Sequence, residues 1–322
     1  MDPIGVGFIG QGEEGRFHLE RFRLRTDCRC EAIWFSPKDL TGGNPTRLAL
    51  HTVKSKHEIA ANPSISLVVV DVPAADENLG CEIAADCLQH GQNVVIGVSA
   101  FPNPGALSQL GELARSLDRN VFVSALHRWE SSFLGVQSIV ASGVLGDLTR
   151  VRKISRQYVP EELSLPRQIL PDARQALDRL WFEMLDELLL LVPEPMKLTE
   201  AAEQFFERSE TRERVQTGLV AEFVFEKGCV AQLELDRRSL APLETGWVLE
   251  GRQGGFVDRK RYRAIADFEL VDVPVEFPVT NQDGFYDSVL ATLRDRTPFP
   301  VNLDSMRRVL ELLWECKFPV SF

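Results

Sequence analysis

The chain predicts an α/β protein in two parts: a doubly wound parallel-sheet domain over residues 1–125, then an α+β domain over 126–322 with an open, largely antiparallel sheet. Three observations carry this. Up to about Asn120, short Val- and Ile-rich runs alternate with helical segments. A glycine-rich turn directly follows the first of these runs, and beyond His127 the pattern changes to long, alternating, consecutive strands. Alternation of the first kind implies crossover connections and a parallel sheet covered on both faces, whereas consecutive strands pair antiparallel.

In chain order, Ile4 to Ile9 reads as a buried strand that runs into Gly10-Gln11-Gly12-Glu13-Glu14-Gly15, and Arg16 to Leu24 reads as a helix. Strand, glycine turn and helix in that order form the context of a dinucleotide-binding fingerprint. Gly10 permits the tight turn, Gly12 lets backbone approach a pyrophosphate, and Gly15 lets the helix pack closely on the strand. The helix then presents free N–H groups to the phosphates. Glu13 and Glu14 work against this, because they put two carboxylates where an anion would sit. Further buried strands are expected at Glu31 to Phe35, Leu67 to Val72, Asn93 to Val98 and Val121 to Ala125. Helices are expected at Gly80 to His90, where Ile83, Cys87 and Leu88 recur on one face, and at Gly105 to Leu117.

Past His127, Glu130 to Ser142 reads as a helix closed by Ser142-Gly143-Val144-Leu145-Gly146. Strands follow at Leu148 to Tyr158, Leu219 to Glu226, Cys229 to Arg237 and Thr245 to Gly251, with a hairpin turn at Glu226-Lys227-Gly228-Cys229. The proline-bearing stretch from Tyr158 to Arg174 reads as an irregular excursion, Gln175 to Leu191 as a helix, and Leu303 to Cys316 as the closing helix.

A net charge of −11 argues against nucleic acid as the main partner, since that binding needs basic surface. An anionic cofactor needs only a local positive site. Met1-Asp2-Pro3 lacks the basic start of a signal peptide, and the longest apolar block, Leu188 to Val192, is far too short to span a membrane. The six cysteines and five histidines show no metal-ligand spacing, so no metal is expected and the thiols read as reduced in a cytoplasmic protein.

Taken together, several segments resemble the Gfo/Idh/MocA family of NAD(P)-dependent oxidoreductases over almost the full length. They are Gly10 to Gly15 with His18, the exit Val70-Asp71-Val72-Pro73, the run Leu88-Gln89-His90-Gly91-Gln92-Asn93-Val94-Val95, and Leu126-His127-Arg128-Trp129. Ser142 to Gly146, the Gly251-Arg252-Gln253-Gly254-Gly255 turn and the closing helix complete the pattern. The resemblance implies a Rossmann domain followed by an open-sheet domain that commonly serves in homo-oligomer formation. It also implies hydride transfer between a nicotinamide and a hydroxyl carbon of a sugar, inositol or related small molecule.

The family's chemistry rests on a Lys in a Glu-Lys-Pro motif and a His on a second-domain helix, and neither is present. The motif positions fall on Gly97, Val98 and Ser99, and the histidine position falls on Glu183, with Asp186 three residues later on nearly the same helical face. After Pro73, a position where the family often has histidine holds Glu77. Glu183 and Asp186 are therefore the candidate catalytic groups, able to move a proton if burial raises a carboxyl pKa. The biliverdin reductases in the family also lack the usual pair. The alternative is a catalytically inactive nucleotide-binding relative that acts as a sensor or interaction subunit.

Candidate cofactor contacts are Gly10, Gly12, Gly15, Ser36, Lys38, Pro73 and Arg128. Ser36 with Lys38, where a carboxylate would favour NAD, leans the reading to NADP. Arg128 reads either as a phosphate or carboxylate partner or as a structural arginine, and Asp186 also reads as a buried helix residue with a hydrogen-bond partner. Arg167, Arg174 and Arg179 read as a solvated face or as contacts to an acidic substrate, and Tyr158 as a rim residue or a proton donor.

Overall fold

The structure, a computed structural model, describes residues 2–10, 13–34, 51–72, 79–97, 104–158, 170–207, 214–244, 246–257, 259–264, 270–278 and 282–317. Gly12, Ser36, Lys38, Pro73, Glu77, Val98, Ser99 and Arg167 lie outside the described residues. The chain divides into two compact units, residues 1–125 with 283–308 and residues 126–282 with 309–322.

The first unit contains β1 (Ile4–Ile9), α1 (Glu13–Arg23), β2 (Cys28–Trp34), β3 (His51–Thr52), α2 (Lys56–Ala60), β4 (Leu67–Val70), α3 (Leu79–Gln89), β5 (Asn93–Ile96), α4 (Pro104–Ser116) and β6 (Val121–Val123). The strands form a six-stranded sheet in the order β3-β2-β1-β4-β5-β6, each pair parallel. That order reverses direction between β1 and β4, so their carboxyl ends make the switch point at which α/β sheets hold ligands. The runs Leu67–Val70 and Val94–Ile96 are buried throughout, which explains why they read as continuous apolar strands.

A turn of 3-10 helix at Leu126–Trp129 opens the second unit. It is followed by α5 (Ser131–Ala141), β7 (Leu148–Tyr158), α6 (Leu170–Leu191), β8 (Met196–Glu207), β9 (Arg214–Phe225), β10 (Val230–Asp236), β11 (Arg238–Glu244), β12 (Val248–Gly251), β13 (Gly255–Val257), β14 (Lys260–Ala264) and β15 (Leu270–Pro274). These strands make a nine-stranded sheet in which the β7–β10 pair is parallel and the other pairs are antiparallel. The expected hairpin turn joins β9 to β10, with Gly228 at φ +89°. Helix α6 begins at Leu170, earlier than the sequence reading placed it.

The chain then returns to the first unit with α7 (Asp283–Asp295) and ends on α8 (Leu303–Lys317), whose residues to Arg308 belong to the first unit and the rest to the second. Phe285, Tyr286 and Val289 of α7 are fully buried. The Tyr286 ring meets Phe22 of α1 edge-on at 4.9 Å, and its hydroxyl lies 2.8 Å from His18 Nδ1. His18 Nε2 is 3.0 Å from Ser124 Oγ, so the histidine of the glycine-turn helix is a satisfied core residue.

Two glycines at the switch point are held in place by sterics. Gly10 sits at φ +96°, and a Cβ there would come within 1.8 Å of the Asp71 carbonyl oxygen. A Cβ on Gly15 would come within 2.9 Å of the Asp71 side chain. Gly10→Ala is therefore expected to cost at least about 3 kcal/mol, because backbone cannot yield. Gly15→Ala is expected to cost about 1–3 kcal/mol and to be partly rescued by Asp71→Ala, while Gly10→Ala is not rescued. Denaturant melts of the two double-mutant cycles check this; equal rescue at both glycines would contradict it.

Candidate active site

The glycine turn lies where β1 ends, beside the end of β4. The Gly15 amide donates to Asp71 Oδ2 at 2.5 Å, so the side chain just after β4 caps α1 from outside the helix. Glu13 and Glu14 fall in the first turn of α1, and Glu14 Oε1 lies 3.8 Å from His18 Nε2. The Cβ-free surfaces of Gly10 and Gly15, with the positive φ of Gly10, meet a dinucleotide's need for a sharp turn with close backbone approach. Asp71 shares that corner.

In the second unit, the last three turns of α6 are largely buried, with Trp181, Phe182, Met184, Leu185, Leu188 and Leu191 all in the core. Carboxylates on such a helix need internal partners. Asp186, 1% exposed, accepts from His127 at 2.6 Å and from Arg128 Nε and Nη2 at 2.7 and 2.6 Å. Burial pushes its pKa up, but the hydrogen bonds and charges of His127 and Arg128 outweigh burial and hold the carboxyl below the ordinary range. Burial disfavours the charged form of His127, yet Asp186, with Glu183 and Glu187 behind it, raises the imidazole above its ordinary value. The adjacent Glu187, 4% exposed, takes Lys153 Nζ at 2.5 Å and Trp247 Nε1 at 2.6 Å, both on Oε2.

Glu183 bonds to Arg179 Nε at 3.0 Å, one turn back along α6. Glu130, which accepts from Gln282, has its pKa raised by partial burial and by the charges of Glu183 and Glu187. Glu130, Lys153 and Glu187 line a cavity of about 380 Å³ whose apolar walls include Phe133, Trp247 and Phe256. A volume of that order suits a small molecule. The structure thus gathers Arg128 with Asp186, and electrostatically links Glu183 to Glu130 and His127.

Glu130, Lys153, Glu187 and Trp247 were not singled out from the sequence. The signal was present in two places: a pair of consecutive acids inside an apolar helix, and a lysine at position 153 sharing the strand face of buried Val151 and Ser155. Among the described residues, no cluster of His, Cys, Asp and Glu could hold a metal, and no helix is long and apolar enough to cross a membrane.

A six-stranded sheet of this order, a glycine turn at its switch point and a second unit built on a nine-stranded sheet define the two-domain fold of dinucleotide-binding oxidoreductases. No family model matches the chain. It is 26% identical over 204 residues to the scyllo-inositol 2-dehydrogenase (NADP(+)) IolW of Bacillus subtilis (strain 168), covering 62% of this chain and 54% of that protein. It is 26% identical over 161 residues to the uncharacterized oxidoreductase YdgJ of Escherichia coli (strain K12), covering 50% of this chain and 45% of the relative. The matched region spans about half the length of these curated relatives. Among solved structures, biliverdin reductase from Synechocystis sp. PCC 6803, in complex with biliverdin and NADP+, superposes with a TM-score of 0.77 at 18% identity over 98% of each chain. An NAD-binding protein from Listeria innocua superposes with a TM-score of 0.79 at 17% identity, over 98% of this chain and 95% of that one. The curated relatives are oxidoreductases of the Gfo/Idh/MocA type, and this chain has their two-domain fold.

Asp186→Asn removes the buried carboxylate charge that pairs with His127 and Arg128, and is expected to destabilise the protein by about 3–5 kcal/mol in denaturant melts. The pH dependence follows from the signs. The raised His127 contributes stability that is full below its ordinary value of 6.5 and is lost as pH rises through the folded value. The lowered Asp186 contributes stability that is full above 3.8 and is lost as pH falls through the folded value. Melting temperature should therefore decline on the alkaline side with a component that His127→Gln removes; an identical profile in that variant would contradict the assignment.

Proposed function

We propose that this chain is a nicotinamide-dependent oxidoreductase acting on a small molecule, with NADP preferred over NAD. The observation that carries the reading is the steric demand for glycine at positions 10 and 15, at the switch point of a parallel sheet. Relatives that act with NADP(+) or are solved with NADP+ support it, and Ser36 with Lys38 is the proposed seat of a 2′-phosphate. Gly10, Gly12, Gly15 and Pro73 are the proposed backbone contacts to the cofactor.

A bound nicotinamide supplies the hydride acceptor or donor; the chain's residues handle the proton. When a substrate hydroxyl is oxidised, its carbon loses hydride and its O–H proton passes to a carboxylate as the C=O bond forms. Glu183 is the proposed acceptor, held one turn from Arg179, with Glu130 as the nearby carboxyl that keeps its proton to higher pH. In this reading Asp186 is a positioning residue, since both of its oxygens are engaged, and Arg128 acts with it. A polyol or a conjugated acceptor of hydride is the first substrate class to test. We also place the protein in the cytoplasm as a homo-oligomer associating through the nine-stranded sheet, where Phe205 of β8 is 44% exposed.

Calorimetric titration with NADPH and NADH is expected to give binding well below the millimolar range; absence of binding by either overturns the reading. In a screen of polyols and tetrapyrroles, Glu183→Gln is expected to lower turnover about 100-fold with cofactor affinity unchanged. Unchanged turnover removes Glu183 from the proton-transfer role. Sedimentation of the protein tests the assembly, and a monomer at micromolar concentration rules it out.

A further inference from the structure

We propose that the Asp71 carboxylate is an internal competitor for the phosphate-binding end of α1, and that it sets how weakly the chain holds a dinucleotide. The inference rests on the cofactor reading above and concerns the strength of that same site. Asp71 follows the last residue of β4 and reaches across the switch point to accept the Gly15 amide at 2.5 Å. Helix N-terminal amides are the groups that attract a pyrophosphate, through unpaired N–H donors and the helix dipole. Here one of those amides is already spent on a carboxylate of the same chain, and the dipole is already partly neutralised.

Gly15 therefore has a second reason to be glycine. A Cβ at this position would lie 2.9 Å from both Asp71 Cβ and Oδ2, so the missing side chain makes room for the carboxylate as well as for close helix–strand packing. Glu14 adds a further carboxylate in the same turn, directed at His18. A pyrophosphate entering this corner meets a fixed negative charge within a few ångströms of its own, in a part-buried setting where screening by water is incomplete. One charge at that range is worth about tenfold in affinity or more.

Asp71→Asn separates charge from capping, because the side-chain amide oxygen still accepts from Gly15 while the charge is gone. Calorimetry is expected to show about tenfold tighter NADPH binding in this variant, the same gain with ADP-ribose, which carries the pyrophosphate without the nicotinamide, and a smaller gain at high salt. Asp71→Ala should keep the gain and lower the melting temperature by losing the cap. If the parent protein binds NADPH and Asp71→Asn binds it equally or more weakly, Asp71 is only a helix cap; the inference falls and the cofactor reading stands. A gain with NADPH that ADP-ribose does not share also overturns the inference, since the effect then lies away from the pyrophosphate. If the parent and both variants fail to bind NADPH, NADH and ADP-ribose, charge is not what limits binding, and the inference falls together with the cofactor reading.

Discussion

Asp186 keeps a buried carboxylate charged between an imidazole and a guanidinium, and much of the second unit is arranged to make that possible. An ion pair so deep contributes little net stability, because desolvation of the partners offsets their attraction. Its effect is on specificity, since any packing of α6 that separates Asp186 from His127 and Arg128 leaves buried charge without a partner. The next residue repeats the constraint in another direction. Glu187 reaches Lys153 on β7 and the indole of Trp247, so two consecutive acids fix the rotation of α6 against the 3-10 turn and against the sheet. An apolar helix that could otherwise turn about its axis is thereby given one orientation. The cavity beside Lys153 and Glu187 inherits its shape from that choice.

The first unit is constrained by contact between backbones. Gly10 and Asp71 lie so close that no side chain fits at position 10, and the Asp71 amide donates to the Ile9 carbonyl at 2.9 Å. The Gly15 amide and the Asp71 carboxylate then tie α1 to the same point. Asp71, outside the glycine pattern, adds its charge to that of Glu14 within it.

Sequence and structure agree best where a single local cause decides the outcome. The six apolar residues of β1 before a glycine turn, the 11 residues of β7 and the Gly228 hairpin were all legible, each from one periodicity or one turn. Strand β8 was not. Its Glu-Ala-Ala-Glu core favours helix, and register shifts at Leu198/Glu200 and Gln204/Phe205 break the two-residue period that would have revealed a strand. Pairing with β9 overrides the local preference. At the candidate site, the sequence singled out Glu183 and Asp186 as catalytic candidates and Arg128 as a cofactor contact, but could not join Arg128 to Asp186 across 58 residues. Asp71 was read only as part of a strand exit, because its partner amide is 56 residues away and no local pattern connects them.

The return of α7 to the first unit has a consequence for how the protein is made. Residues 1–125 include the whole parallel sheet, but Phe285 and Tyr286, which close its aromatic core around Phe22 and His18, leave the ribosome more than 150 residues after β6. The domain translated first is therefore completed only after residues 126–282 of the second unit, and its aromatic core stays open until α7 is made. Truncation before α7 removes Phe285 and Tyr286 and leaves the aromatic core of the first unit open.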